Sequence, residues 1–128
     1  MGFWKNYMFD EELISWSIDG GGNFFYRYKH KFNLTNVCGY IKLNTEKYDY
    51  YFVYEFLRFQ HKFLKFNYSS KAHPSVIKNI YYMPDLELCQ QQNYSLQLKK
   101  IKKLEMFLIK KIKFFKTKKK FFINKLFV

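Results

Sequence analysis

A lysine-rich segment, residues 99–128, constrains the fold of this chain more than any other feature of its sequence. It carries 12 lysines and a single acidic residue, Glu105, for a net charge of +11, whereas the first 98 residues together carry only +2. The segment is therefore either a solvated face or the binding site of a polyanion, because each phosphate that a lysine neutralises releases a counterion. We favour nucleic acid over acidic lipid, because lysine is not enriched to this extent in the rest of the chain.

The same segment has the periodicity of a helix. Its apolar residues recur at intervals of three and four, and lysines occupy positions between them. The pattern predicts a basic amphipathic helix as the last element of the fold. The apolar positions are Ile101, Leu104, Leu108, Ile112 and Phe115, and the lysines are Lys102, Lys103, Lys110 and Lys113.

A helix and a hairpin are predicted at the start of the chain. Asp10 can cap a first helix that ends at the three glycines of residues 20–22. Residues 23–31 and 37–44 then alternate between apolar and other side chains, which predicts two paired strands. In the first strand, the alternation separates a buried face from a basic open face, with Phe24, Tyr26 and Tyr28 on one side and Arg27, Lys29 and Lys31 on the other.

A second helix and a second hairpin are predicted next. Thr45 is the expected N-cap of this helix, which ends between Gln60 and Phe66. A loop at residues 67–75 leads to a β-rich run at residues 76–83, which Pro84 stops, and residues 94–99 alternate again.

The predicted element order is thus α-β-β-α-β-β-α. It indicates an α+β fold with a four-stranded, mostly antiparallel sheet. We expect a single domain over residues 1–128, with residues 99–128 as its basic C-terminal segment.

The amino-acid composition indicates which kind of genome encodes the protein. Lys, Phe, Tyr, Met, Ile and Asn, whose codons are rich in A and T, account for 71 of the 128 residues, and Gly, Ala, Arg and Pro for 10. This bias is most common in mitochondrial genomes, although a few nuclear genomes share it. We therefore expect an organelle-encoded protein of the mitochondrial matrix, and the sequence predicts neither a transit peptide nor a membrane span.

Residues 13–25, LISWSIDGGGNFF, resemble the signature of the LAGLIDADG homing endonucleases, in which a helix ends in Ile-Asp-Gly-Asp-Gly before the first strand. A second stretch, FFKTKKKFFINKL at residues 114–126, is similar to the Lys-Thr-Lys-Lys sequence and apolar helix that close single-motif members. With the predicted element order, the resemblance covers nearly the whole chain. The residues aligned with the signature are Ile18, Asp19, Gly20, Gly21, Gly22, Asn23 and Phe24.

The resemblance implies a homodimer in which the signature helices of two copies pack together. Two four-stranded sheets would then form a saddle whose open face lies in the major groove. Lys118 would fall near the scissile phosphate. The charge of the segment, independently of the resemblance, predicts that Lys116, Lys118, Lys119 and Lys120 bind phosphates. The residues expected on the open face of the sheet are Arg27, Lys29, Lys31, Lys42, Gln97 and Lys99.

Two departures from the family pattern argue against catalysis and against the family dimer. In active members, an acidic residue before the last glycine of the signature binds the divalent metal that activates water, and here this position is Gly21. Asp19 remains, but the resemblance gives it a supporting role at the helix end, so Asp19, Gly21 and Gly22 form a degenerate motif. Trp16 replaces a small residue at the helix contact. We therefore expect no enzyme activity, no metal, no cofactor and no family-type homodimer.

The sequence thus predicts a catalytically inactive, RNA-binding structural protein derived from this family. Its expected partners are ribosomal RNA and the proteins of a mitochondrial ribosome. Two alternatives stay open. One is an active homing endonuclease or intron maturase that uses Asp19 in a shifted register, and the other is an accessory subunit of a mitochondrial membrane complex.

Overall fold

Five short strands precede three helices in the described part of the chain. The structure is a computed structural model that describes residues 6–64 and 71–127. The fold is α+β with antiparallel strands, and the chain divides into two units, Met1–Gln92 and Asn93–Val128. The strands are β1 (Phe9–Asp10), β2 (Leu13–Ser17), β3 (Phe24–Arg27), β4 (Lys31–Phe32) and β5 (Cys38–Ile41), and the helices are α1 (Tyr50–His61), α2 (Pro74–Ile80) and α3 (Leu88–Phe127).

The strand β2 lies at the centre of the main sheet, whose order is β3-β2-β5. The helix predicted between Asp10 and the glycines is therefore wrong. The apolar residues Ile14, Trp16 and Ile18 alternate with Ser15 and Ser17, which is the period of a strand and not of a helix. The first four residues of β2 are all buried, so both of its faces are covered.

The three glycines make the turn between β2 and β3. Gly21 and Gly22 have φ values of 82° and 74°, in the region that favours glycine. The Gly22 amide donates to the Ser17 carbonyl at 3.1 Å, and the Ser17 amide donates to the Asn23 carbonyl at 3.2 Å. The glycines therefore close a hairpin and cap no helix.

The strands predicted at residues 23–31 and 37–44 are present in shorter form as β3 and β5. They do not pair with each other, because β2 lies between them and pairs with both. β4 pairs instead with β1 in a separate two-stranded sheet. The predicted four-stranded sheet is thus replaced by one sheet of three strands and one of two.

The helix α1 covers one face of the main sheet. The Phe52 amide donates to Asp49 Oδ1 at 2.9 Å, so Asp49 is the N-cap and Thr45 is not. The helix ends at His61, within the range that the sequence predicts. Its buried residues at helical spacing are Tyr50, Val53, Tyr54 and Leu57.

Tyrosines fill the space between β3 and α1. The ring of Tyr26 lies 5.3 Å from that of Tyr51 and 5.9 Å from that of Tyr54, and its hydroxyl donates to Glu12 Oε1 at 2.5 Å. Burial raises the pKa of Tyr26 well above 10.0, and the hydrogen bond to Glu12 adds to the rise. Burial also raises the pKa of Tyr51 to about 12, with a smaller contribution from the Glu55 carboxylate. These phenols are therefore neutral packing groups at physiological pH.

The second predicted hairpin is wrong, because residues 76–80 and 94–99 are helical and residues 81–83 form no strand. Residues 74–80 form α2, which begins with Pro74 at a position where proline favours a helix. Residues 94–99 belong to α3, and no glycine or proline follows Pro84 to interrupt that helix. The C-terminal helix predicted from residue 101 is confirmed, although it starts earlier, at Leu88. Part of the loop predicted at residues 67–75 lies outside the described residues.

Candidate nucleic-acid interface

The unit of residues 93–128 contains the densest positive charge of the chain. Every described residue from position 99 onward is exposed, and all of them belong to α3. The five lysines that the sequence assigns to this part of the site therefore lie on one helix with their side chains at the surface. They are Lys99, Lys116, Lys118, Lys119 and Lys120.

Phenylalanine rings are interleaved with the lysines of α3 at a spacing of four residues. The Lys111 ammonium lies 4.8 Å from the centroid of Phe107, and that of Lys125 lies 6.0 Å from the centroid of Phe121. The Lys118 ammonium is also 6.0 Å from a ring, that of Phe122. These cation–π contacts orient the ammonium groups without neutralising their charge.

The remaining basic residues of the predicted site lie in the unit of residues 1–92. Arg27 is on the face of the main sheet that α1 does not cover, where its Nε donates to Ser15 Oγ at 3.1 Å and its guanidinium lies 5.6 Å from the Phe25 centroid. Lys29 is exposed between β3 and β4. Lys31 is exposed in β4, and its ammonium lies 4.8 Å from the Tyr7 centroid.

Acidic side chains accompany these cations. The Lys42 ammonium lies 2.6 Å from Glu11 Oε1, and this hydrogen bond raises the pKa of Lys42. Asp10 is the cross-strand partner of Lys31. An exposed ion pair contributes little to stability, so Lys42 can exchange Glu11 for a phosphate at small cost. The net charge of residues 1–98 is nevertheless only +2, against +11 for residues 99–128.

The structure does not bring the predicted open-face residues onto one sheet. Arg27 belongs to the main sheet, Lys31 to the small sheet, and Lys42 follows β5. Lys99 and Gln97 lie in α3, because the alternation at residues 94–99 is part of a longer helical sequence. The predicted single basic face is therefore wrong as a geometric arrangement.

An aromatic ladder in the first unit is a feature that the sequence does not predict. We use this name for Tyr28, His30, Phe32 and Phe9, whose rings follow one another at centroid distances of 4.3, 4.8 and 5.4 Å with interplanar angles of 29°, 28° and 23°. The ring of Tyr40 packs against Phe9 in a T-shaped arrangement with a centroid distance of 4.9 Å, which closes that end. The signal in the sequence is the spacing of Tyr28, His30 and Phe32 at every second residue, but in so aromatic a chain this spacing is also typical of core residues.

The residues of the degenerate motif lie in and beside the glycine turn. Asp19 is exposed and makes an ion pair with Lys71 at 3.2 Å. Gly21 adopts a positive φ, and a Cβ added there would meet no atom within 4 Å. One carboxylate beside a glycine does not make the metal site that the family resemblance implies. Among residues 6–64 and 71–127, no three His, Cys, Asp or Glu side chains form a group that could hold a metal ion.

Trp16, which aligns with a position where the family has a small residue at its helix contact, lies inside the first unit. Its indole is buried and its Nε1 donates to the Ala72 carbonyl at 2.7 Å. A Cβ on Gly39 would fall only 2.1 Å from the indole ring, so the ring rests directly on the Gly39 backbone. Trp16 is therefore a packing residue of the main sheet.

None of the helices in the described part of the chain is long and apolar enough to cross a membrane. No protein-family model, no curated protein and no solved structure matches this chain.

Proposed function

We propose that this chain binds RNA through phosphate contacts of its lysine-rich segment, residues 99–128, and that it serves as a structural and not a catalytic protein. The observation that carries the proposal is the exposure of every described residue of that segment, which contains 12 lysines and a single glutamate. A surface of this charge attracts a polyanion whatever the sequence of that polyanion, because counterions are released when phosphates are bound.

The distribution of lysines around α3 favours RNA over a flat anionic surface. Successive residues of a helix point about 100° apart, so Lys118, Lys119 and Lys120 project in three different directions. Lys102 and Lys103 diverge in the same way. A helix with cations around most of its circumference can contact phosphates on several sides at once when RNA strands surround it.

The proposed setting is a mitochondrial ribosome, with ribosomal RNA and ribosomal proteins as partners. Its support is compositional, since the residue usage is typical of an A+T-rich organelle gene. An origin in the LAGLIDADG family stays a prediction from the sequence. The proposal does not depend on this origin, because it rests on the charge and exposure of residues 99–128. The segment that aligns with the signature helix is the strand β2.

The proposal is tested by neutralising part of the charge of α3. Replacing Lys116, Lys118, Lys119 and Lys120 with Gln removes the cations that would bind up to four phosphates. On duplex RNA, the slope of log affinity against log salt should flatten by about 0.7 to 0.9 for each phosphate that is no longer neutralised. Discrimination between base sequences should hardly change, since phosphates carry no sequence information.

The matched control replaces the same four lysines with arginine, which keeps the charge and should keep the salt slope. Both variants should retain wild-type helicity in circular dichroism. The proposal fails if the glutamine variant binds with wild-type affinity and wild-type salt slope, because the lysines would then form only a solvated face.

A second candidate function, as an accessory subunit of a mitochondrial membrane complex, is favoured by the apolar residues of the same helix. A basic helix that exposes an apolar stripe can lie on an anionic bilayer. Replacing Leu108 and Ile112 with Gln should abolish flotation with vesicles of anionic phospholipid and leave RNA binding intact. The stripe consists of Ile101, Leu104, Leu108, Ile112, Phe115, Phe122 and Leu126, all of them exposed.

The enzymatic alternative, a homing endonuclease or maturase, predicts a different experimental result. It requires DNA cleavage or intron splicing that depends on Mg²⁺ or Mn²⁺ and is abolished in the Asp19→Asn variant. We expect the wild-type chain to cut no DNA, because Gly21 supplies no carboxylate ligand.

A further inference from the structure

We propose that the aromatic ladder is a stacking site for an unpaired base, so that an RNA with unpaired nucleotides gains affinity beyond that of its phosphate contacts. This inference rests on the proposed RNA binding and adds to it the structural class of the RNA. The feature that carries it is a run of four stacked rings, Tyr28, His30, Phe32 and Phe9, that begins at the protein surface.

The ladder has one closed end and one open end. Phe9 is buried, and the ring of Tyr40 packs against it at a centroid distance of 4.9 Å in a T-shaped arrangement. Tyr28 is 64% exposed, and His30 stacks against one side of its ring. A planar base can therefore add to the ladder only at Tyr28, as the next member of the stack.

The open end is held in position by contacts below it. His30 Nδ1 lies 2.6 Å from the Tyr28 carbonyl oxygen, which fixes the imidazole ring relative to the chain that carries Tyr28. Phe32 is held opposite Phe9 by the pairing of β4 with β1. Because these rings are ordered before a ligand arrives, a base that stacks on Tyr28 does not bear the entropic cost of ordering them.

The charges beside the ladder are consistent with binding an RNA strand that is selected by its bases and not by its phosphates. Lys29 and Lys31 are exposed in the same stretch of chain as Tyr28, His30 and Phe32. Asp10 is the cross-strand partner of Lys31, which moderates the attraction for phosphates. A base within a duplex offers no free face to Tyr28, whereas an unpaired base does.

The experiment compares three ligands of equal length on the full chain: a single-stranded RNA, the same strand in a duplex, and an abasic strand with the same phosphate backbone. The wild type should bind the single strand more tightly than the abasic strand. Replacing Tyr28 with Ala should weaken binding of the single strand by about 5- to 150-fold, the usual contribution of one stacked base. It should leave the affinity for the abasic strand and the salt slope unchanged.

Tyr28→Phe is the matched control, because it keeps the ring and removes only the hydroxyl, and it should bind as the wild type does. As a second measurement, a strand containing 5-iodouridine should form its ultraviolet crosslink at Tyr28. Equal affinity of the wild type for the single strand and the abasic strand would overturn the stacking site while leaving the proposed RNA binding in place. A flatter salt slope in the glutamine variant of α3 would support the proposed function and would not test the stacking site. If the chain bound no RNA, both proposals would be wrong.

Discussion

Gly39 shows at the scale of single residues how the absence of a side chain positions the main sheet. It pairs with Trp16 across β5 and β2, and the indole ring occupies the space that a Cβ on Gly39 would need. The indole also donates to the Ala72 carbonyl, which ties the sheet to the segment before α2. The size of residue 39 therefore determines whether Trp16 can keep both contacts.

We predict that Gly39→Ala lowers the free energy of unfolding by about 1 to 3 kcal/mol, the usual cost of overpacking a core. In a Trp16→Phe background the same substitution should cost less, since the smaller ring leaves room for the methyl group. Urea unfolding of the four chains measures this coupling. Equal costs in both backgrounds would show that the indole is not what the methyl group displaces.

At the scale of secondary-structure elements, the contact between β3 and α1 depends on tyrosines that must stay neutral. Tyr51 has a pKa of about 12 in the folded chain because burial disfavours the phenolate, against an ordinary value of about 10. The folded state therefore holds this proton more tightly than the unfolded state does. The resulting stability is fully present below about pH 10 and disappears as the pH rises through about 12.

We predict that the fold melts between about pH 10 and pH 12, and that the phenolate absorbance near 295 nm rises together with the decrease in circular dichroism. A Tyr51→Phe variant should be destabilised less over this range, because it has one fewer buried phenol to ionise. Titration of all tyrosines near pH 10 with the fold intact would contradict the packing of this interface.

How far each element could be predicted depends on how local its signals are. The alternation of Phe24, Phe25, Tyr26 and Arg27 is correctly predicted as a half-buried strand, because period-two alternation is local. The prediction for β2 is wrong because Asp10 and the glycines at positions 20–22 are also typical helix boundaries. The alternation of Ile14, Trp16 and Ile18 is the competing signal in the sequence, and it is the one that the structure follows.

The sites show the same difference between local and distant information. The exposed lysines of α3 follow from charge and helical spacing, both of which are local. Only the local part of the aromatic ladder could be predicted, namely the spacing of Tyr28, His30 and Phe32. The ring that stacks on the other side of Phe32 belongs to Phe9, in a strand more than 20 residues away. Which strands become neighbours is decided by the whole sheet, and no spacing in the sequence contains that information.

At the scale of the whole molecule, the buried core belongs to the first unit alone. Apart from Pro84, all buried apolar side chains among the described residues lie between Phe9 and Ile77. Gln91 completes this unit, since its Nε2 donates to the carbonyls of Lys47 and Leu86 and its Oε1 accepts from the Asp49 amide. The exposed residues of the lysine-rich segment contribute nothing to this core.

We predict that a chain shortened to residues 1–98 folds with a free energy of unfolding within about 0.5 kcal/mol of the full chain, because the segment removed is exposed. Its affinity for duplex RNA should fall and its salt dependence should weaken, since 12 lysines are removed. Thermal unfolding and salt titration of RNA binding measure the two effects. A shortened chain that fails to fold would show that the segment has a structural role.

The strand order β3-β2-β5 also has a consequence for biosynthesis. β2 and β3 are joined by a short turn, and β5 follows within the first 41 residues, so the main sheet is built from contacts between near neighbours in the sequence. Such local topologies form quickly, and N-terminal structure forms first during translation. The sheet and α1 can therefore assemble on the nascent chain while the basic helix is still unmade, which keeps the most highly charged segment from interfering with the folding of the rest.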